Sequence, residues 1–467
     1  MRPVLTAGEM REVDAQAVAS GTPVATLIER AGTAVATEAI ALLGGTYGRR
    51  VVVVAGSGNN GADGRMAASV LARRGVRTLI VDAREAPGKL PSSDLVIDAA
   101  YGTGFRGDYE APDPAGAPVL AVDIPTGVDA DSGVTGANAV RAVATVTFGA
   151  LKPGLLVGEG RSRAGRVFVH RIGLPVPPVA ECEICLVVDD DIVAHLPVRE
   201  FEAHKWQTAL AVVAGSPGMY GAPGYVAHGA ARAGAGMVRL GIPGAAPSDM
   251  GVSEAVSHVL PMNGFDEAAL EMLQRCKALV IGPGLGLERP TRASVRRLVT
   301  SAPVPVLVDA DALTALGGES STLEVIGPRT EATILTPHEG EFARLAVSPL
   351  GPDRIAAARG LASATGAVVL LKGSTTIVAE PNGRVMLATA GTSQLATAGT
   401  GDVLSGVIGA FLARGMAAPE AAAIGAHVHG RAGERGPLEG LVAGDLPDLV
   451  AAVLSDAEAT RIRPHGR

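Results

Sequence analysis

Two lysines and a set of aspartates, all lying among glycines, are the residues whose types and spacing point to chemistry. In the first half, Gly56-Ser57-Gly58-Asn59-Asn60-Gly61 fits G-x-G-x-x-G, follows an apolar run and leads into a helical pattern. Such glycines let backbone approach a phosphate, and a helix N-terminus adds donors and partial positive charge. Asp82 lies 21 residues beyond Gly61, where a ribose-binding acid would sit. The loop also holds Asn59, Asn60 and Asp63. These oxygen donors suit a cation or substrate hydroxyls and amides better than a plain redox dinucleotide. Asp98-Ala99-Ala100-Tyr101-Gly102-Thr103-Gly104 and Asp123-Ile124-Pro125-Thr126-Gly127 each put an Asp at a strand's C-terminal edge, the ligand side of an open α/β sheet. Asn60, Asp98 and Thr126 together suit a hard monovalent cation. That leaves Asp123 for proton transfer, with Lys152 as its partner. Each Asp taken alone is equally well read as a helix cap.

No G-x-x-x-x-G-K-[ST] occurs in the second half, which excludes a Walker-type site. Short motifs end strands instead: Gly215-Ser216, Gly282-Pro283-Gly284-Leu285-Gly286, Asp309-Ala310-Asp311, Thr336-Pro337-His338-Glu339 and Lys372-Gly373-Ser374-Thr375-Thr376. Gly399-Thr400-Gly401-Asp402 opens an apolar helix over 403–412. Glycines at a helix N-terminus form an anion hole for a transferring phosphoryl group, and Asp402 in the first turn suits the base that takes a hydroxyl proton. Asp309 and Asp311 alternate along a strand end, so one of them either holds magnesium through water or caps the next helix.

The elements that must carry these turns are legible. Thr6 and Glu9 form a capping-box pattern, with Met10, Val13 and Ala17 at helical spacing behind them. Strands are expected at 51–55, 78–81, 95–97, 119–122 and 145–148, with a helix over 63–74. A proline-rich stretch, 173–181, reads as a linker. Beyond it come strands at 210–214, 278–281, 304–308, 333–335 and 368–371. Apolar strands alternating with helices imply parallel sheets covered on both faces. The expected architecture is therefore α/β with two domains, over 1–180 and 187–467. The first would be a Rossmann-like three-layer sandwich.

Composition sets the outer limits. A chain of 467 residues exceeds one typical core, and 47 % hydrophobic against 19 % charged residues excludes disorder. A net charge of −7 without basic clusters argues against nucleic acid as a partner. Three cysteines make no disulfide framework, and no apolar run is long enough to span a membrane; a cytoplasmic protein is expected. Cys182-Glu183-Ile184-Cys185 lacks the second pair a zinc site needs, and His427 and His429, two apart on a helix, read as structural. Only five of the 40 basic residues are lysine, a bias that makes a lysine inside a glycine-rich motif more informative.

Together, Asn59–Gly64, Gly102–Gly104, Val122–Gly127 and Thr147–Gly154 resemble the NAD(P)H-hydrate epimerase domain. The second set of motifs, from about Asp189 to Leu454, resembles the ADP-dependent NAD(P)H-hydrate dehydratase domain of the ribokinase-like superfamily. The first resemblance implies binding of the hydrated nucleotide by Asn59, Asn60, Gly61, Ala62, Asp63, Gly102, Thr103, Gly104, Phe105, Arg106, Gly107, Asp108 and Asp123. Potassium would sit on Asn60, Asp98 and Thr126. The second implies hydrate binding by Ala222, Gly284, His338 and Asp402, with Lys372, Gly373, Ser374, Thr375, Thr376 and Gly401 on the adenine nucleotide. ADP with Mg2+ would phosphorylate the hydrate's hydroxyl, Asp402 acting as base, and loss of phosphate would restore the dihydropyridine. Catalytic residues are then Asp402, Asp123 and Lys152, the substrates are small molecules, and a homo-oligomer is expected. The competing reading is a ribokinase-like small-molecule kinase preceded by a dinucleotide-sensing module.

Overall fold

The structure is a computed structural model that describes residues 1–105, 109–246, 254–346 and 348–462. The chain divides into two compact units, Arg2–Cys185 and Leu186–Arg467, the second also including Met1.

In the first unit six strands lie in the order Arg77–Asp82, Arg50–Ala55, Leu95–Ala99, Val119–Val122, Ala144–Phe148, Arg166–His170, every neighbouring pair parallel. The three strands from Leu95 to Phe148 are buried at every position, as strands covered on both faces must be. Helices Val24–Leu43 and Asn59–Arg73 cover one face with Ala31, Val35, Ala39, Ala67 and Leu71. The capping box at Thr6 is formed: Glu9 N–H donates to Thr6 Oγ1 (3.2 Å) and Thr6 N–H to Glu9 Oε2 (2.7 Å). One boundary differs from expectation. The third helix begins at Asn59, not Asp63, so Asn59, Asn60 and Gly61 belong to its first turn. Gly61 allows this, since a Cβ there would lie 1.8 Å from the Gly56 carbonyl oxygen. The chain reverses direction across the sheet between strands Arg50–Ala55 and Leu95–Ala99, and their C-terminal ends carry Gly56–Asn60 and Asp98.

Nine strands of the second unit run in the order Val385–Ala388, Thr376–Ala379, Val368–Leu371, Thr333–Leu335, Val306–Val308, Ala278–Ile281, Ala209–Val213, Met237–Pro243, Ala255–Leu260. All pairs are parallel except the two involving Thr376–Ala379. The sequence patterns missed the Thr376–Ala388 hairpin and the strands Met237–Pro243 and Ala255–Leu260. Those last two carry partly exposed residues and lack a continuous apolar run. Helix Thr400–Ala413 is almost wholly buried. Glycines make its close seat possible: a Cβ on Gly406 would come within 2.2 Å of the Val226 carbonyl, and one on Gly409 within 2.4 Å of Val280. Among the described residues no helix is long and apolar enough to cross a membrane.

Candidate active sites

Each unit gathers its chemistry-bearing residues at the C-terminal edge of its sheet, in the first unit around the point where the strand order reverses. In the first unit a cavity of about 1120 Å³ opens there. Of the residues expected to bind substrate, Asn59, Asn60, Asp63, Gly102, Thr103, Gly104, Phe105 and Asp123 line it, as does Lys152. Gly61 and Ala62 do not; Gly61 is spent on the turn against Gly56. Arg106, Gly107 and Asp108 lie outside the described residues. Asp82, at the end of an edge strand, binds only the N–H of Arg84 (2.9 Å) and is not part of the cavity wall.

Asp123 sits at φ 69°, one of four described non-glycine residues with positive φ. That unusual backbone turns its carboxylate into a dense set of donors. Lys152 Nζ lies 2.8 Å from Oδ1, Thr147 Oγ1 donates to Oδ1 (3.3 Å) and Thr103 N–H to Oδ2 (3.1 Å). Burial works to raise the Asp123 pKa, but Lys152 and these hydrogen bonds outweigh it and hold the carboxyl below its ordinary value. Lys152 is in turn anchored by Thr147 Oγ1 (2.7 Å) and the Phe148 carbonyl (3.0 Å). Asp63 differs. Among the described residues it makes no hydrogen bond or ion pair. Burial, then the charges of Asp123 and Asp14, push its pKa up to about 8. Gly102 faces this cluster at close range: a Cβ would be 3.0 Å from Asp123 Oδ2 and 3.3 Å from Asn60 Cγ.

Asp98 is buried under the Tyr101 turn. It accepts Thr126 N–H (2.8 Å), the Thr126 hydroxyl (2.8 Å) and Ala100 N–H (3.3 Å), while Tyr101 N–H donates to Thr126 Oγ1 (3.1 Å). Burial lifts Asp98 to about 6, and no cationic side chain offsets it. Asn60 leaves both side-chain polar atoms buried without a partner. A carboxylate without a counter-charge and an unsatisfied amide oxygen are a donor set that fits a monovalent cation.

Sequence reasoning missed much of the cavity's wall. Helices Ala7–Ala19 and Val24–Leu43 contribute Met10, Leu27, Ile28 and the exposed Asp14. Tyr101 also lines the cavity beside the expected Phe105, and both pack against Tyr109, which is not part of its wall, with ring centroids 4.6, 5.5 and 6.4 Å apart. Their clustering in so aromatic-poor a chain was the available signal.

In the second unit Lys372 Nζ lies 2.6 Å from Asp309 Oδ1, and Ser405 Oγ donates to Asp309 Oδ2 (2.7 Å). Burial raises the Asp309 pKa, yet Lys372 and the hydrogen bonds prevail and hold it below the ordinary value. Gly401 is at the other side of this lysine, 3.8 Å from Nζ to the place a Cβ would occupy. Helix Thr400–Ala413 starts from Gly399 at φ 88°, and His429 Nε2 lies 2.9 Å from the Thr400 carbonyl. Asp402, in that first turn, is pushed up to about 7 by burial and then by Asp309, with Lys372 opposing and Asp311 adding. Asp311 caps the neighbouring loop, accepting Gly286 N–H at Oδ2 (2.8 Å). Ala310 between them is strained at φ 51°.

Gly284, in a loop, meets Ala222 in the first turn of helix Gly221–Arg232, a Gly284 Cβ falling 3.4 Å from that of Ala222. His338 is exposed, and its Nδ1 accepts Gly340 N–H (3.0 Å) to cap helix Glu339–Leu345. The same loop reaches the lysine motif, where Lys372 N–H donates to the Pro337 carbonyl (2.9 Å). Gly373 and Ser374 are exposed, Thr375 is buried and Thr376 begins a strand. Sequence reasoning missed Arg354, which donates to the Lys372 carbonyl (2.9 Å) and steadies the turn. Among the described residues no three His, Cys, Asp or Glu side chains converge as a metal cage. His427 is paired with Asp189 (2.8 Å), and the three cysteines are buried and form no disulfide among the described residues.

Known proteins resemble the chain over both units. A family profile described as NAD(P)H-hydrate dehydratase matches residues 210–455, and one described as YjeF-related protein N-terminus matches 24–91 and 81–154. The bifunctional NAD(P)H-hydrate repair enzyme Nnr of Mycobacterium leprae is 37 % identical over 97 % of this chain and 98 % of its own. That of Escherichia coli is 32 % identical over 85 % and 84 %. A ribokinase-like superfamily protein from Enterococcus faecalis superposes with TM-score 0.52 at 18 % identity, over 59 % of this chain and 96 % of its own, which shows the fold. The chain belongs to the family of bifunctional NAD(P)H-hydrate repair enzymes.

Proposed function

We propose that this member of the family carries out both repair reactions, each in its own unit. The domain over 1–180 interconverts the (R) and (S) forms of hydrated NAD(P)H. The domain over 187–467 dehydrates the (S) form at the expense of ADP. The observation that carries the reading is the repeated arrangement of one Lys–Asp ion pair beside an aspartate, buried Asp63 or half-buried Asp402, that has no ion-pair partner among the described residues and whose pKa lies near neutrality. Proton transfer at neutral pH needs such a group.

In the dehydratase site Asp402 takes the proton of the substrate hydroxyl, whose oxygen attacks the terminal phosphoryl group. The N–H groups after Gly399 and the Lys372 ammonium face the phosphate charge. Phosphate then leaves with the C–O electron pair, and a ring proton is lost, restoring the dihydropyridine. Ala222, Gly284 and His338 would hold the hydrate, and Lys372, Gly373, Ser374, Thr375, Thr376 and Gly401 the nucleotide. Magnesium, bound with the phosphates, would neutralise their charge, with Asp311 the nearby acid. In the epimerase site Asn59, Asn60, Asp63, Gly102–Asp108 and Asp123 would hold the hydrated nucleotide. Asp123, kept ionised by Lys152, serves as base. Asn60, Asp98 and Thr126 would hold potassium, whose charge would fix the Tyr101–Gly104 turn. A cytoplasmic homo-oligomer acting on small molecules completes the reading, and light scattering tests the assembly.

Incubation with mixed-epimer NADH hydrate, with and without ADP, tests the whole. Absorbance of the dihydronicotinamide band should recover completely with ADP and not without it. Accumulation of a stable phosphorylated product would instead mean a kinase.

A further inference from the structure

Resting on the epimerase reading, we infer that Asp63 is a catalytic acid of that reaction, working against Asp123 as the base. The substrate carbon that changes configuration carries a hydroxyl and the ring nitrogen. Breaking the C–O bond and re-forming it on the other face inverts this carbon without redox chemistry. An acid must protonate the departing oxygen and a base must take a proton from the returning water, and one carboxylate cannot hold both states at once.

The cavity supplies two carboxyls in opposite states from different elements. Asp123, at a strand end, is ion-paired to Lys152 at 2.8 Å and accepts two further hydrogen bonds, so it stays ionised. Asp63, from helix Asn59–Arg73, is 8 % exposed, lines the same cavity and has no partner among the described residues. Among the described residues no positive group is bound to it, and the other titratable groups around the cavity are Arg11, Asp14, Tyr101, Asp123 and Lys152. The lysine is committed to Asp123, and Asp14 and Asp123 add negative charge, so Asp63 keeps its proton to about 8. A helix cap or a purely structural aspartate would carry hydrogen bonds; this one faces open space.

The step balances. The proton on Asp63 passes to the hydroxyl oxygen, the C–O pair leaves with it as water, and the ring-nitrogen lone pair forms the C=N bond of an iminium. Water then bonds to that carbon on the opposite face, the π pair returns to nitrogen, and the water's proton goes to Asp123. The reverse epimerisation uses the same two groups with roles exchanged, and solvent in the open cavity resets them.

The test follows epimer exchange chromatographically at saturating hydrate, with ADP-dependent dehydration of the pure (S) form as the control for folding. Asp63→Asn should lower kcat for exchange by at least about a hundredfold while KM stays within about threefold, and dehydration should be unchanged. Asp63→Glu, which restores a carboxyl, should recover at least tenfold of that loss, and wild-type exchange should fall as pH rises through about 8. Asp63→Asn exchanging within about threefold of wild type, a loss confined to KM, or equal loss in both variants would overturn the inference. Absence of exchange in the wild-type protein would instead overturn the epimerase reading itself.

Discussion

The two sites use the same pair of residues in opposite orientation. In the first unit the lysine is the deep member: the Lys152 side chain is 2 % exposed and Asp123, at 15 %, fronts the cavity. In the second the carboxylate is deep: Asp309 is 2 % exposed and Lys372, at 22 %, stands beside Gly401. The charge turned towards the ligand matches the chemistry proposed for each unit. A reaction at a neutral hydroxyl needs a carboxylate; a reaction on phosphates needs a cation. In the first, Lys152 keeps Asp123 ionised; in the second, Asp309 fixes the position of the Lys372 ammonium. Beside each pair stands an aspartate without a counter-ion, Asp63 or Asp402, raised towards neutrality by burial and by the paired carboxylate.

The largest effect expected from breaking this comparison is at Asp402. Asp402→Asn should cut ADP-dependent dehydration by about 10³-fold and leave epimer exchange intact, as read from the two assays on one preparation. Next come the forward charges. Asp123→Asn or Lys372→Met removes one activity and also strands a buried opposite charge, at a cost of about 3–5 kcal/mol measured by denaturant unfolding of the affected unit. The double variants Asp123→Asn/Lys152→Met and Asp309→Asn/Lys372→Met should regain stability without regaining activity. If activity returns with stability, the forward charge has no chemical part.

The pH profiles should move in opposite directions. Asp402 must lose its proton to act, and its raised pKa keeps that proton up to about 7, so dehydration should climb as pH rises through about 7. Asp63 must keep its proton, so exchange should decline as pH rises through about 8. Coincident profiles would erase the distinction. The smallest effect expected is from the cation: replacing potassium by choline should slow exchange several-fold and leave dehydration unchanged in magnesium-containing buffer, and Thr126→Val should mimic the loss.

The glycine- and aspartate-bearing turns and the strands leading into most of them were legible because each lies in one short stretch. Local propensity and spacing decide such features. Strands Met237–Pro243 and Ala255–Leu260 were not, because they lack a continuous apolar run and owe their conformation to pairing with neighbours; the hairpin strands Thr376–Ala379 and Val385–Ala388 are apolar runs of only four residues, too short for pattern alone to tell from buried loop or helix. The same division runs through the sites. Sequence alone marked Asp123, Lys152, Lys372 and Asp402 as candidates and joined the first two. It left Asp309 undecided between a metal and a cap, and it passed over Asp14, Ser405, Arg354 and the packing of Tyr101 and Tyr109 around Phe105. Only the tertiary structure paired Lys372 with an aspartate 63 residues away, left Asp63 without a partner and chose which member of each ion pair faces the ligand. Depth below the surface sets those choices, because burial and charge, not residue type, govern whether a carboxyl keeps its proton.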